Sequence, residues 1–140
     1  MSDIGEIRTP QFIKLQTILE DIDDGKYSIP SFQREYVWNK SHILDLLDSI
    51  FHNYPCGSLL MLENNIGLGV EIRPFENCSN SITEESTLVL DGQQRLTSCY
   101  HVFHNKSKSY TYFIDLRELY KQWKNAPDHK RDRIMTRWKR

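Results

Sequence analysis

Apolar side chains recur every three to four residues in four stretches of the chain, and this spacing predicts four helices. The first stretch follows Thr9-Pro10, which has the form of an N-cap with proline at the first helical position, and it stops at Gly25. Either Asn39 or Ser41 can cap the second helix. The second, third and fourth helices are centred on the apolar stripes of residues 43–51, 96–103 and 116–123.

Shorter apolar or alternating runs lie between these helices and predict strands. They cover residues 27–29, 58–62, 70–75, 87–90 and 110–114. The run at residues 58–62 has the continuous apolar character of a buried strand. This order of helices and strands predicts a single mixed α/β domain with a small mixed sheet flanked by helices.

Composition places the chain among ordinary globular proteins. It has 140 residues, of which 39% are hydrophobic and 26% charged. No apolar run approaches the roughly 20 residues that a membrane helix needs, so we expect a cytoplasmic protein with no membrane partner. The three cysteines, Cys56, Cys78 and Cys99, lack zinc-ligand spacing, and the five histidines form no metal signature, so no metal site made of protein ligands alone is predicted.

The charge is unevenly distributed along the chain. Residues 1–127 hold 17 acidic and 12 basic side chains, whereas residues 128–140 hold 6 basic and 2 acidic ones. We therefore place a domain boundary at residue 127 and expect a basic helical extension that begins a further region of a longer protein. The extension could contact nucleic acid, or it could be a solvated helix face.

The motif with the most concentrated chemistry is Asp91-Gly92-Gln93-Gln94-Arg95, which follows a buried strand and opens a helix. A helix start offers unpaired N–H groups and a positive dipole end, and Gly92 allows close approach of a phosphate. Arg95 adds a guanidinium suited to phosphate oxygens. The alternative is a capping box in which Asp91 and Gln94 satisfy the same N–H groups internally.

A second motif, Gln33-Arg34, lies among aromatic residues. Arg34 and Gln33 are expected to face a ligand, with Tyr36 and Trp38 stacking on a base, while Phe32 packs in the core. In the alternative interpretation the aromatics are core anchors and Arg34 pairs with a carboxylate. We expect the two motifs to face one cleft and to hold a common anion.

Three ordered motifs of the chain resemble the domain-of-unknown-function-262 family, the N-terminal domain of GmrSD-type, modification-dependent restriction enzymes. The resemblance runs from about Phe12 to about Asp115 and rests on Phe32-Gln-Arg34 with Tyr36 and Trp38, on Ser49-Ile50 with Tyr54-Pro55 and Gly57-Ser-Leu-Leu60, and on Leu90-Asp-Gly-Gln-Gln-Arg-Leu-Thr97. It implies a ParB/sulfiredoxin-like fold that binds and hydrolyses a nucleotide at residues 91–95. It also implies that this module controls a C-terminal HNH-type nuclease in bacterial anti-phage defence, acting on DNA with modified bases or backbone. The chain itself has no His-Asn-His constellation, so we expect no DNA cleavage by these residues alone.

The leading hypothesis from the sequence is a regulatory domain that binds GTP or ATP with Mg²⁺ and hydrolyses it in the intact protein. Arg34 and Arg95 would neutralise phosphate charge, and Gly92 would allow close approach. Gln33, Gln93 and Gln94 would donate hydrogen bonds to the nucleotide. Asp91 would act in catalysis with Arg95, either by orienting the attacking water or by holding Mg²⁺ through water. The rival hypotheses are a non-catalytic sensor of modified DNA that uses the same arginines and aromatics, and a protein-interaction module in which both motifs are only caps.

Overall fold

The computed structural model describes residues 10–63, 69–79, 81–83 and 85–127, so the predicted basic extension at 128–140 lies outside the described residues. The helices of this part are α1 (Leu15–Asp23), α2 (Lys40–Phe51), α3 (Gln93–Phe103) and α4 (Leu116–Asn125). The strands are β1 (Tyr27–Pro30), β2 (Leu60–Leu62), β3 (Ile72–Arg73) and β4 (Thr87–Asp91). The predicted mixed α/β class is confirmed. Among the described residues, none of the helices is long and apolar enough to cross a membrane.

The four strands form one mixed sheet in the order β2-β4-β1-β3. The two central strands are parallel, with Tyr27 opposite Thr87 and Ser28 opposite Leu88. The outer strands β2 and β3 run antiparallel to their neighbours. Because parallel strands end at the same edge of a sheet, the segments that follow β1 and β4 start side by side. These two segments carry the two motifs singled out in the sequence.

The core joins α1 and α3 to the two central strands. Its buried apolar side chains include Ile22 of α1, Ile29 of β1, Val89 of β4 and Leu96 of α3. Tyr100 of α3 is fully buried. This packing gives α3 a fixed position relative to the end of β4.

Three predicted helix boundaries can be compared with the structure. Helix α1 begins at Leu15 rather than directly after Pro10, and the side chain of Phe12 is fully exposed, so no packing supports an earlier turn. Its predicted stop is confirmed, because Gly25 has φ +72° directly after the C-cap Asp24. The cap of α2 is Asn39, whose side chain accepts from the N–H groups of residues 41 and 42.

Of two predicted strands, the one at residues 58–62 was wrong in part and the one at residues 110–114 was wrong. Strand β2 begins only at Leu60 and is an edge strand, with Leu60 58% and Leu62 41% exposed, rather than a buried one. Residues 110–114 form no strand, although their side chains alternate. An alternating run becomes a strand only where a neighbour completes the ladder, and residue 113 forms only an isolated bridge.

Candidate functional site

The two motifs meet at a cavity of about 280 Å³, beyond the carboxyl ends of β1 and β4. We call it the first cavity, and it is lined by Gln33, Arg34, Trp38, Leu90, Asp91, Gly92, Gln93, Gln94 and Arg95. Every residue predicted for the site lines it except Tyr36. The fold therefore brings both arginines, more than fifty positions apart in sequence, to one cavity.

Helix α3 begins without a side-chain cap. Its N-cap is Gly92, with φ +94°, and no side chain there accepts from the first turn, so the alternative of a capping box from Asp91 and Gln94 is wrong. A Cβ on Gly92 would also lie 2.2 Å from Cδ2 of Leu59. The first helical hydrogen bond runs from Leu96 to the Gly92 carbonyl. The N–H groups of residues 93–95 therefore have no helical acceptor and lie at the positive end of the helix dipole.

The three glutamines tie the motifs together. Nε2 of Gln33 donates to the carbonyls at the end of β4, at 2.8 Å to residue 89 and 3.0 Å to residue 90. Nε2 of Gln93 donates to the Arg34 carbonyl at 3.2 Å. Gln94 accepts from the Val37 N–H at 3.0 Å and donates to the Glu35 carbonyl at 3.0 Å. These amides hold the loop after β1 against the start of α3, a role that the sequence analysis did not foresee.

Arg95 is also engaged by the protein itself. Nη1 donates to the Cys56 carbonyl at 2.6 Å, and Nη2 donates to the Ser58 carbonyl at 2.7 Å. Nη2 also pairs with the Asp91 carboxylate at 3.2 Å. Arg95 thus fastens the segment before β2 to the start of α3 and orients Asp91. The two carbonyl partners carry no side-chain signal, so a sequence pattern could not reveal them.

Arg34 differs from Arg95. It is exposed, and within the described part of the chain its guanidinium makes no hydrogen bond and no ion pair. Its backbone carbonyl, in contrast, accepts from Gln93 at 3.2 Å and from Nη2 of Arg73 at 2.9 Å. Arg73 was missed in the sequence because β3 has only two residues and a weak pattern. The site therefore has a firmly held backbone at residue 34 that bears an uncommitted positive charge.

The aromatic residues of the first motif separate in the structure. Trp38 lines the first cavity and stacks on His42, with ring centroids 5.7 Å apart. Tyr36 lies outside it, where its hydroxyl bonds Ser98 Oγ at 2.9 Å. Phe32, which we expected in the core, is 75% exposed and lies on the turn after β1. Of these rings, Trp38 lies in place to contact a ligand in the first cavity.

Tyr36 lines a second cavity, also of about 280 Å³, together with Glu35, Arg73 and Glu76. Because residues 33, 34 and 38 line the first cavity and residues 35 and 36 line the second, the loop after β1 separates the two cavities. We call this segment, residues 31–39, the dividing loop.

None of the three cysteines is among the described residues that line the two cavities. Burial raises the pKa of the Cys99 thiol to about 12, with smaller effects from Cys56, which raises it, and Arg95, which lowers it, so this thiol stays protonated at neutral pH. No group of three or more His, Cys, Asp or Glu side chains within the described ranges could hold a metal ion.

Comparison with known proteins gives two matches and one negative result. The family model described as "GmrSD restriction endonuclease, N-terminal domain" matches residues 15–139. An uncharacterized protein of Methanocaldococcus jannaschii is 37% identical over 109 residues, which cover 69% of this chain but only 19% of that relative. The chain thus spans a minor part of the length of the curated relative that it matches. No solved structure matches the chain.

Proposed function

Because the chain belongs to the family of GmrSD restriction endonuclease N-terminal domains, we propose that it binds a nucleoside triphosphate in the first cavity and hydrolyses it in the intact protein. In this proposal the domain is the regulatory module of an anti-phage, modification-dependent restriction system. A C-terminal HNH-type nuclease region of the longer protein would cut the DNA. We also propose the ParB/sulfiredoxin-like fold, which the helix start directly after a central strand supports.

The observation that carries the proposal is the uncommitted guanidinium of Arg34 beside the uncapped start of α3. Neutral donors and a positive dipole end attract a phosphate, and a guanidinium binds its oxygens in a planar, bidentate way. The two neighbouring arginines, Arg95 and Arg73, already donate to backbone carbonyls. Arg34 is therefore the residue that we assign to direct phosphate contact, with Arg95 shaping the cavity wall behind it.

The size and shape of the first cavity suit a small anionic molecule. Its volume of about 280 Å³ is close to the lower end of known ligand pockets, which begin at about 300 Å³, and an open mouth would leave part of the nucleotide in solvent. Trp38 supplies an aromatic surface next to the arginine. We propose that phosphates contact the start of α3 and that the base lies toward Trp38.

Asp91 fits a role with Mg²⁺. It is the single carboxylate among the described residues that line the first cavity, and its side chain is 68% exposed. Mg²⁺ in nucleotide sites commonly uses one or two carboxylates, several waters and the substrate phosphates, so one carboxylate is sufficient. Bound there, the ion would neutralise phosphate charge. Asp91, held by Arg95, would either contact its water shell or orient the attacking water itself.

The direct test is calorimetric titration of GTP and of ATP with Mg²⁺. We expect the wild-type protein to bind at least one of them and Arg34→Gln to bind it at least about tenfold more weakly, since a charge-assisted bond to phosphate is lost. Arg117→Gln is the matched control, because Arg117 is an exposed arginine of α4 that does not line the first cavity. Equal affinities for wild type and Arg34→Gln would contradict the proposal.

A second candidate function is supported by Phe32. Its ring is exposed and lies two residues before Arg34, whose guanidinium is uncommitted. Single-stranded or extruded bases commonly stack on an exposed aromatic ring while a nearby arginine contacts the nucleic-acid backbone. In this alternative the domain senses modified DNA without catalysis. Gel shifts on modified and plain duplexes at two salt concentrations distinguish the candidates: DNA binding through phosphates weakens steeply with salt and with Phe32→Ser, whereas a nucleotide module ignores the duplex.

A further inference from the structure

Arg73 reaches the first motif from outside the first cavity. It lies at the end of the edge strand β3, and its side chain lines the second cavity. Nη2 donates to the Arg34 carbonyl at 2.9 Å and lies 3.4 Å from the Gln33 carbonyl. Both acceptors belong to residues that line the first cavity. One guanidinium thus connects the edge of the sheet to the backbone of the proposed phosphate site.

The sheet places Arg73 for this contact. Strand β3 pairs antiparallel with β1, with Arg73 opposite Ile29 and Ile72 opposite Pro30. The pairing continues into the dividing loop, where the Ser31 N–H donates to the Glu71 carbonyl at 2.8 Å. The dividing loop therefore leaves β1 alongside β3, and a long side chain on β3 can reach it.

The partners of Arg73 show what the side chain is arranged to do. Glu35 and Glu76 line the same cavity, and a guanidinium commonly pairs with a carboxylate. Within the described ranges, however, Arg73 has neither glutamate within the 4.0 Å of an ion pair, and its recorded bonds go to backbone carbonyls. The guanidinium of Arg73 therefore fixes the backbone of the dividing loop instead of forming an ion pair with either glutamate.

The Arg34 carbonyl is held from two directions. Arg73 approaches from β3, and Gln93 approaches from the first turn of α3. The peptide group is planar, so holding this carbonyl orients the whole peptide plane between residues 34 and 35 and restricts the backbone angle ψ at residue 34. That angle helps to set the direction in which the Arg34 side chain leaves the backbone. Two donors on one oxygen therefore restrict where the uncommitted guanidinium can lie.

We infer that Arg73 is a positioning residue for the anion site: by holding the Arg34 carbonyl, it directs the Arg34 guanidinium toward the start of α3. The effect on affinity rests on the proposed function, whereas the effect on the dividing loop does not require a ligand. Arg73 itself touches no phosphate. Its contribution is to reduce the conformational freedom that Arg34 would lose on binding.

The test compares four proteins: wild type, Arg73→Met, Arg73→Lys and Ile72→Val. Methionine keeps much of the side-chain volume and removes every donor, whereas lysine keeps the charge and one donor for the carbonyl. Ile72→Val weakens the same strand without touching Arg34, so it separates positioning from a general loss of stability. The measurements are affinity for Mg²⁺-triphosphate by calorimetry and amide hydrogen exchange at two residues of the dividing loop, Gln33 and Val37. The Gln33 N–H donates to the carbonyl at the end of β1, and the Val37 N–H donates to Gln94 of α3.

We expect Arg73→Met to bind the triphosphate about tenfold more weakly and its two amides to exchange about tenfold faster, as loss of one charged hydrogen bond implies. Arg73→Lys should recover most of both effects, and Ile72→Val should bind as the wild type does. The ratio of affinities between wild type and Arg73→Met should stay the same at 50 and 500 mM salt, because a hydrogen bond is short-ranged. A ratio that disappears in high salt would indicate a through-space charge effect and overturn the inference.

The two hypotheses fail in different ways. If wild type and Arg34→Gln differ in affinity but Arg73→Met behaves as wild type in both measurements, the inference is overturned and the proposed function stands. If no variant binds a triphosphate while Arg73→Met still accelerates exchange at Gln33 and Val37, the proposed function fails. In that case Arg73 still holds the dividing loop, and its link to phosphate is overturned.

Discussion

The guanidinium of Arg95 occupies the space next to Gly57 that a larger residue would need. A Cβ built on Gly57 would lie 2.6 Å from Nη1 of Arg95, and Gly57 has φ +87°. The carbonyls on either side of this glycine, at residues 56 and 58, are the acceptors of the guanidinium. The segment before β2 therefore bends around the guanidinium. Arg95, which the sequence analysis assigned to phosphate binding, thus also stabilises the fold.

Arg95→Ala should therefore destabilise the fold as well as affect binding. Its side chain is only 21% exposed, and its loss leaves the carbonyls of residues 56 and 58 without their donor. We expect the free energy of unfolding to fall by about 2 kcal/mol, measured by urea denaturation. Arg34→Ala is the control and should change stability by less than about 0.5 kcal/mol, because its guanidinium has no partner within the described part. Equal, small effects for both variants would refute the structural role of Arg95.

The sequence allowed the class of fold and the place of the site to be predicted. Helical and alternating spacing is a local property, so α2, α3 and the central strands were found from the pattern alone. Asp91 to Arg95 could be placed at a strand end and a helix start for the same reason. The convergence of the two motifs on one cleft was expected from their similar chemistry, and its physical cause appears only in the structure, where the parallel pairing of β1 and β4 ends both strands at one edge of the sheet.

The roles of individual side chains could not be predicted in the same way. Gln33, Gln94 and Arg95 bond to backbone carbonyls and N–H groups, which every residue carries, so no side-chain pattern identifies the partners. Phe32 was expected in the core because it is large and apolar, yet position on a turn decided its exposure. Arg73 was missed because the antiparallel pairing of a two-residue strand depends on tertiary structure.

Gly92→Ala should be more harmful than a glycine substitution elsewhere with similar backbone geometry. Both Gly92 (φ +94°) and Gly69 (φ +63°) have positive φ, but a Cβ on Gly92 would meet Leu59 at 2.2 Å, whereas one on Gly69 would meet no atom of the described residues within 4 Å. We expect a loss of about 3 kcal/mol in the free energy of unfolding for Gly92→Ala and about 1 kcal/mol for Gly69→Ala. Thermal and urea unfolding of both variants measure the difference, and equal losses would show that close contact at Gly92 does not matter.

The contact between α1 and α3 should make stability depend on acidic pH. Burial of Asp23 tends to raise its pKa, but hydrogen bonds from Tyr100 at 2.5 Å and His104 at 2.6 Å outweigh it and lower the pKa below the usual 3.8. A carboxyl with a lowered pKa stabilises the fold above its unfolded pKa of about 3.9, and this contribution is lost as pH falls toward the folded value. The stability difference between wild type and Asp23→Asn, measured in urea, should therefore shrink below about pH 4. A difference that stays constant between pH 6 and pH 3 would contradict this assignment.

Asp91→Asn should separate binding from hydrolysis. Asparagine keeps an oxygen that can accept from Arg95, 3.2 Å from the present carboxylate, so the cavity should keep its shape while losing its single carboxylate. We expect turnover of the triphosphate, measured as phosphate release by the intact protein, to fall at least about a hundredfold. The nucleotide affinity without Mg²⁺ should stay the same or rise, because repulsion between like charges is removed.

The dependence on Mg²⁺ distinguishes the two roles of Asp91. If Asp91 acts through Mg²⁺, a higher Mg²⁺ concentration should restore part of the rate, and if it orients the attacking water, added Mg²⁺ should have no effect. Glu76→Gln removes a carboxylate from the second cavity and should leave both quantities unchanged. Wild-type turnover in Asp91→Asn would exclude both roles for this carboxylate.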